Sequence, residues 1–213
     1  MDSPLDTVAV RVLGSLIEKE ITTPNNYPLT LNALTAACNQ TSNRDPVLEL
    51  DETTVSRSID DLARSSLIRE VHRSDTRARR YRHQLAETLK LHQAEMAALC
   101  VLMLRGAQTA GEIRARTARM FEFVDLAHVE ITLEALMALP TPLVTRLPRR
   151  PGQNEVRYAH LLSGEPQPET TSVVLPEPPG PDRVDALEQE VASLRSELAE
   201  LRAQFEAFRR SFE

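Results

Sequence analysis

The first 90 residues alternate between polar stretches and segments in which apolar side chains recur every three or four positions. That spacing is typical of helices with one buried face. It predicts helices over 5–20, 30–39 and 51–65, the last two beginning near a threonine or aspartate that can cap them. Two runs of alternating polarity, 67–73 and 78–85, flank a polar turn and predict a β-hairpin.

The same order of segments returns about 77 residues further along the chain. Helices are predicted over 93–104, 109–120 and 125–139, and hairpin strands over 143–147 and 155–162. Internal repetition of this kind indicates repeated structural units. We therefore predict a mainly α protein with small β-hairpins, in the α+β class. It would contain two tandem winged-helix domains, each with a helix-turn-helix.

The pattern divides the chain into four regions. Winged-helix domain 1 covers 1–88, winged-helix domain 2 covers 89–164, a proline-rich linker covers 165–182, and a coiled-coil helix covers 183–213. The coiled coil is predicted because apolar residues alternate between spacings of three and four. These seam positions are the predicted dimer contacts: Val184, Leu187, Val191, Leu194, Leu198, Leu201, Phe205, Phe208 and Phe212.

Charges beside this seam favour a parallel homodimer. Glu190 and Glu197 each lie five residues before an arginine, Arg195 or Arg202. This spacing places opposite charges across two parallel helices, and valine at a with leucine at d also favours two strands. The alternative is an amphipathic helix that folds back onto the domains of its own chain.

The net charge of −6 belongs to the tail. Residues 1–90 carry 12 basic and 13 acidic side chains, residues 91–162 carry 8 and 7, and residues 163–213 carry 5 and 11. The remainder of the chain is therefore close to neutral. Nucleic-acid binding would depend on local basic patches rather than on the total charge.

The first hairpin is the most basic local feature. It carries Arg73, Arg77, Arg79, Arg80 and Arg82. A winged-helix hairpin of this kind lies along the phosphate backbone, because guanidinium groups offer planar pairs of donors to phosphate. Strand alternation predicts that Tyr81 and His83 face the domain and that the neighbouring arginines face outward. The alternative is a hairpin whose arginines serve solubility alone.

The third helix is the candidate reader of base edges. The candidate DNA contacts on this helix and in the preceding polar turn are Arg44, Thr54, Arg57, Ser58 and Arg64. Acidic neighbours outnumber the basic ones on the helix, and the turn is equally consistent with a structural role. The corresponding helix of domain 2 is acidic, which favours a protein partner or the dimer contact there and confines DNA contacts to domain 1. Arg114, Arg116 and Arg119 are interpreted as a solvated face.

The residue inventory argues against an enzyme. The five histidines have no metal-ligand spacing, no glycine loop can cradle a phosphate, and no nucleophile has an evident base. We predict no catalytic residue, metal, cofactor or small-molecule ligand. Cys38 and Cys100 are interpreted as buried thiols. No apolar run is long enough for a membrane span and no basic leader is present, so we predict a cytoplasmic location.

Several short motifs carry a family resemblance. In the first repeat they are RVLGSLIEKE at 11–20, TTP at 22–24, YPLTLNAL at 27–34, ACNQ at 37–40 and NRDP at 43–46. In the second they are LRG at 104–106, QT at 108–109, GE at 111–112, PLV at 142–144, LPR at 147–149 and HLLSGE at 160–165. The chain resembles the YceH-like family of bacterial proteins of unknown function over about 5–165, departing from it at Ala107, where proline is usual. The resemblance implies tandem winged-helix domains in a cytoplasmic protein and implies no activity or cofactor.

Two functions are consistent with these observations. The first is a non-enzymatic, dimeric DNA-binding protein, a transcriptional regulator whose third helix enters the major groove while its hairpin arginines contact phosphates. The second is an adaptor that docks protein partners and binds no DNA. DNA binding requires a continuous positive surface from helix 51–65 to the hairpin, whereas an adaptor requires an exposed apolar patch.

Overall fold

The computed structural model describes residues 4–72, 78–149 and 155–166, and a few single positions between 193 and 202. The chain divides into two units, Met1–Pro166 and Gln167–Glu213. The described positions of the second unit are helical. Leu198 is the one predicted seam residue among them and is 52% exposed, while the other eight lie outside the described residues. The dimer and the division of 1–164 into two domains stay predictions.

The first unit is an α+β structure, as predicted. Its helices are α1 (Thr7–Thr22), α2 (Leu31–Cys38), α3 (Glu52–Arg64), α4 (Leu85–Leu89), α5 (Gln93–Arg105), α6 (Ala110–Thr117) and α7 (Leu126–Met137). Its strands are β1 (Leu29–Thr30), β2 (Ile68–Val71), β3 (Arg80–His83), β4 (Gln108–Thr109), β5 (Val144–Arg146) and β6 (Arg157–His160). All six predicted helices are present, so the periodicity of apolar residues predicted them correctly.

Each repeat contains an antiparallel three-stranded sheet, with strand orders β1-β3-β2 and β4-β6-β5. The two-residue strands β1 and β4 were not predicted. Each adds a third strand to a predicted hairpin at an equivalent position, because Leu29 pairs with Tyr81 and Gln108 pairs with Tyr158. The repeats therefore share helix order, strand order and register.

Helix α6 differs from its prediction at the carboxyl end. It ends at Thr117 rather than Met120, because the Thr117 carbonyl group accepts turn hydrogen bonds from the N–H groups of Met120 and Phe121. Its beginning is fixed by a capping box, in which Thr109 and Glu112 each bond the other's backbone N–H group. After α5, Gly106 adopts a φ of +71°, which favours glycine over residues with a side chain.

The two repeats share one hydrophobic core, in which α1 of the first repeat packs against α5 of the second. Gly14 permits this close approach. A Cβ atom at this position would lie 3.0 Å from Leu104 Cδ2 and 3.3 Å from Met103 Cβ. The core also contains the free thiols of Cys38 and Cys100, which confirms their predicted burial.

A buried ionic network fixes the polar turn that follows α2. The Arg44 side chain has no exposed surface, and its Nη2 lies 2.7 Å from Glu18 Oε2 on α1. Arg44 Nε and Nη2 also donate to the Ala37 carbonyl group at 3.1 and 2.8 Å. Arg11 extends the network by donating to the carbonyl groups of Cys38 and Pro46. These bonds satisfy carbonyl groups that burial would otherwise leave unpaired.

Candidate interaction surfaces

The first candidate surface combines α3 with the β2–β3 hairpin. Along β3, Tyr81 and His83 are buried whereas Arg80 and Arg82 are only partly buried, which confirms the predicted alternation. His83 Nε2 lies 2.7 Å from Glu20 Oε2 on α1, and this contact holds the hairpin against the core. The hydrogen bond and charge of His83 lower the pKa of Glu20, although burial acts in the opposite direction.

Three of the six described arginines of this surface lie beside a carboxylate. Arg79 Nε is 3.5 Å from Glu70 Oε1, and Arg82 Nη2 is 2.7 Å from Glu87 Oε1. Arg64 is paired with Asp61 one turn away on α3. Exposed pairs of this kind contribute up to about 1 kcal/mol, so a phosphate group can compete for the guanidinium. The carboxylate would nevertheless remain beside the phosphate.

Two further candidate arginines donate to backbone carbonyl groups within the protein. Arg80 Nη1 donates to the Pro28 carbonyl group at 2.8 Å, and Arg44 is enclosed in the network described above. Arg44 therefore presents no surface to a phosphate in this structure. Arg73 and Arg77 lie outside the described residues.

The exposed face of α3 is mixed in charge. Arg57 is exposed and makes no hydrogen bond or ion pair within the described part of the chain. Thr54 is half-buried, while Glu52 and Asp60 are exposed beside Arg57. Ser58 was predicted to point outward but is buried, because it borders the inward stripe of Val55, Ile59 and Leu62. The basic surface that joins α3 to the hairpin is therefore interrupted by acids.

The second candidate surface is the outward face of α7, which corresponds to α3 in the second repeat. Helix α7 contains no lysine or arginine. Its exposed residues include Leu126 and Ile131, the latter 64% exposed, beside Glu130 and Glu134. The preceding residue Val124 is 76% exposed. The face is therefore both apolar and acidic. The sequence pattern had predicted its acidic residues but not its exposed apolar ones.

The loop that contains Val124 is held in place by contacts with α6 and α7. Arg114 on α6 donates to the carbonyl groups of Phe123 and Val124, at 3.4 and 2.8 Å. The rings of Phe121 and Phe123 pack edge-on against His128 of α7, with centroid separations of 5.7 and 5.1 Å. Arg114 is exposed, as the interpretation of a solvated face requires, and its guanidinium group also bonds this loop, which was not predicted. The contact was missed because it joins separate segments.

The buried titratable groups outside these surfaces have shifted pKa values. Burial lowers the pKa of His160 to about 4 and raises the pKa of the Cys38 thiol to about 11. A neutral thiol is a poor nucleophile. Within the described residues, no group of three or more histidine, cysteine or carboxylate side chains is placed to hold a metal ion.

The structure is that of an α+β protein with two similar repeats and two exposed candidate surfaces. The chain belongs to the family described as protein of unknown function DUF480, whose model matches residues 5–153. A UPF0502 protein of Opitutus terrae is 53% identical over 191 residues, covering 89% of this chain and 83% of the relative. UPF0502 proteins of Geobacter sulfurreducens and Citrifermentans bemidjiense are 50% and 52% identical, with complete coverage of both chains.

Among the described residues, no helix has both the length and the apolar character that crossing a bilayer requires.

Proposed function

We propose that the protein is a non-enzymatic adaptor of two tandem winged-helix domains, which docks a protein partner on α7. The winged-helix assignment is supported by the order helix, short strand, two helices and hairpin in both repeats. The adaptor function is inferred from the exposed face of α7, which is apolar and acidic. A helix that reads DNA would need basic side chains at this position. A cytoplasmic location is supported by the two free thiols. Homodimerisation through the tail rests on the heptad spacing.

The chemistry of the α7 face selects the kind of partner. Ile131 and Leu126 gain from burial against apolar side chains, at about 25 cal/mol per Å². Glu130 and Glu134 favour a partner whose apolar residues are flanked by lysine or arginine. An amphipathic helix with a basic border has both features. The loop held by Arg114 is already ordered, so less conformational entropy is lost when the partner binds.

A synthetic amphipathic helix with a leucine seam and lysine borders is expected to bind the full chain. The charge reversal Glu130→Lys with Glu134→Lys should weaken this binding by roughly tenfold or more, since it opposes like charges across the interface. Fluorescence anisotropy of the labelled peptide measures the change. Glu52→Lys with Asp60→Lys on α3 is the matched control and should change the affinity less than about twofold. Equal losses in both double variants would indicate non-specific attraction and exclude the α7 face.

DNA binding by the first repeat is the second candidate, favoured by Arg57 on α3, which is exposed and has no hydrogen-bond or ion-pair partner among the described residues. It would use α3 in the major groove and the outward arginines of the hairpin on phosphates. The acids that interrupt this surface place it second. The two functions can be distinguished experimentally, because the affinity of the protein for DNA would depend strongly on salt concentration.

Replacing Arg57 or Arg79 by alanine is expected to weaken binding to duplex DNA. Each replacement should also reduce the slope of log affinity against log salt by about 0.9 if it removes one phosphate contact. Titrations of the full chain with DNA at several salt concentrations measure this slope. Arg149→Ala in the second hairpin is the control. If the slope is the same in all three variants, the first repeat does not bind DNA through these arginines.

A further inference from the structure

A small cavity lies where the two repeats meet, and both repeats contribute to its wall. It has a volume of about 30 Å³. Its lining residues are Glu18, Thr22, Asn43, Val101, Leu104, Arg105, Arg116, Arg119 and Met120. The lining therefore combines buried apolar side chains and the Glu18 carboxylate with three guanidinium groups. A space of this size accommodates a few water-sized groups, so it suits a compact ligand group rather than a whole large ligand.

The two carboxylates near the cavity are each already paired. Glu18, which lines it, lies 2.7 Å from Arg44 Nη2 and 3.5 Å from Lys19 Nζ. Glu112 Oε1 lies 3.2 Å from Arg116 Nη2. The negative charges of the site are thus balanced by Arg44, Lys19 and Arg116. The other two arginines of the lining, Arg105 and Arg119, are not needed for this balance.

Arg105 and Arg119 carry positive charge that no described carboxylate balances. Arg105 Nη1 donates only to the neutral amide oxygen of Asn43, at 3.4 Å. Its Nε–H group is buried and has no hydrogen-bond partner among the described residues. Arg119 makes no hydrogen bond or ion pair within the described part of the chain. A buried donor left unpaired is costly, and an anion would satisfy it.

We propose that this cavity binds a small oxyanion group, either a phosphoryl group or a carboxylate. Planar guanidinium groups match both, because two parallel N–H donors meet two oxygen atoms. Arg105 would donate from α5 and Arg119 from the turn after α6, and Val101 and Leu104 add apolar surface to the same lining. Since Asn43 of the first repeat already contacts Arg105, the ligand would bind against both repeats at once. The site is independent of the proposed adaptor surface on α7.

Inorganic phosphate and acetate, titrated separately into the full chain at constant ionic strength, are the probes. Saturable binding of one of them is expected by calorimetry, with a shift of the Arg105 Nε–H signal in nuclear magnetic resonance spectra. Phosphate binding would identify a phosphoryl ligand and acetate binding a carboxylate. A saturable rise in melting temperature should accompany either, because the ligand binds only the folded chain.

Arg105→Gln and Arg119→Gln should each weaken that binding by roughly tenfold or more. Arg119 is exposed, so its replacement is not expected to disturb folding and serves as the second variant if Arg105→Gln is unstable. Arg64→Gln, an exposed change of equal charge on α3, should leave the affinity unchanged within about twofold. The proposal is overturned if neither probe saturates, or if Arg119→Gln and Arg64→Gln bind the probe equally well.

Discussion

Replacing Arg44 by methionine is expected to lower the free energy of unfolding by about 3–5 kcal/mol. The reason is that Arg44 is fully buried, and its loss would leave the Glu18 carboxylate without its nearest positive charge. The Ala37 carbonyl group would also lose the donors that now satisfy it. Breaking one side of a buried pair costs more than the pair contributes, because the remaining charge stays buried.

Urea unfolding of the full chain, followed by circular dichroism, measures this loss. Arg57→Met makes the same chemical change on the exposed face of α3 and should alter the free energy of unfolding by about 0.5 kcal/mol or less. Adding Glu18→Gln to Arg44→Met should recover part of the loss, because the buried charge that Lys19 alone would then balance is removed. Similar losses for Arg44→Met and Arg57→Met would contradict the buried network.

The same variant should change how stability depends on pH. Burial alone would raise the pKa of Glu18, but the hydrogen bond and charge of Arg44 hold it below its ordinary value of 4.5. A carboxyl group with a lowered folded-state pKa contributes stability above its unfolded pKa and loses that contribution as pH falls through the folded value. In Arg44→Met, only the weaker charge and hydrogen bond of Lys19 would oppose the effect of burial, so the pKa of Glu18 should rise. The Glu18 contribution would then become more favourable as pH falls, which unfolding curves between about pH 6 and 4 would detect.

The Gly14→Val variant is expected to lose about 1–3 kcal/mol of unfolding free energy. The new side chain would start at a Cβ position 3.0 Å from Leu104 Cδ2 and 3.1 Å from Leu104 Cγ. Either the Leu104 side chain would have to shift or helices α1 and α5 would have to separate, and valine adds little helix propensity in compensation. Thermal and urea unfolding measure the loss.

Gly111→Val is the matched control for this prediction. Gly111 also lies in a helix, but a Cβ atom there would meet only Thr109 Oγ1, at 3.9 Å. Its replacement should be neutral or slightly stabilising, because glycine is a poor helix former. Trimming the opposing side chain with Leu104→Ala should recover some of the loss in Gly14→Val. If the Gly14→Val and Gly111→Val variants are equally stable, the close approach of α1 to α5 at Gly14 does not contribute to stability.

Local sequence signals predicted the helices well because their ends are defined by nearby residues. Thr30, Asp51 and Asp125, each predicted at or next to a helix start, cap that helix by accepting a hydrogen bond from a backbone N–H group three residues later. The strands β1 and β4 were missed because a two-residue strand is defined by its partner. Their partners, β3 and β6, lie about 50 residues away along the chain.

The candidate surfaces were only partly predictable for the same reason. Alternation along β3 correctly placed Arg80 and Arg82 on the less buried side. The pairing of Arg79 with Glu70 depends on the fold of the hairpin, and the burial of Arg44 depends on a turn that packs on α1. Single-segment patterns contain neither relation. The cavity was unpredicted because its lining comes from segments brought together only by folding.

The continuous interior across the repeats has a consequence for how the chain opens. Cys38 and Cys100 belong to different repeats but to one apolar cluster, so neither sulfur atom can reach a thiol reagent unless that cluster is breached. The labelling rates of the two thiols should become equal under mild denaturant, because the two repeats would unfold together as one cooperative unit. Two natural cysteines thus act as built-in reporters of one unfolding event.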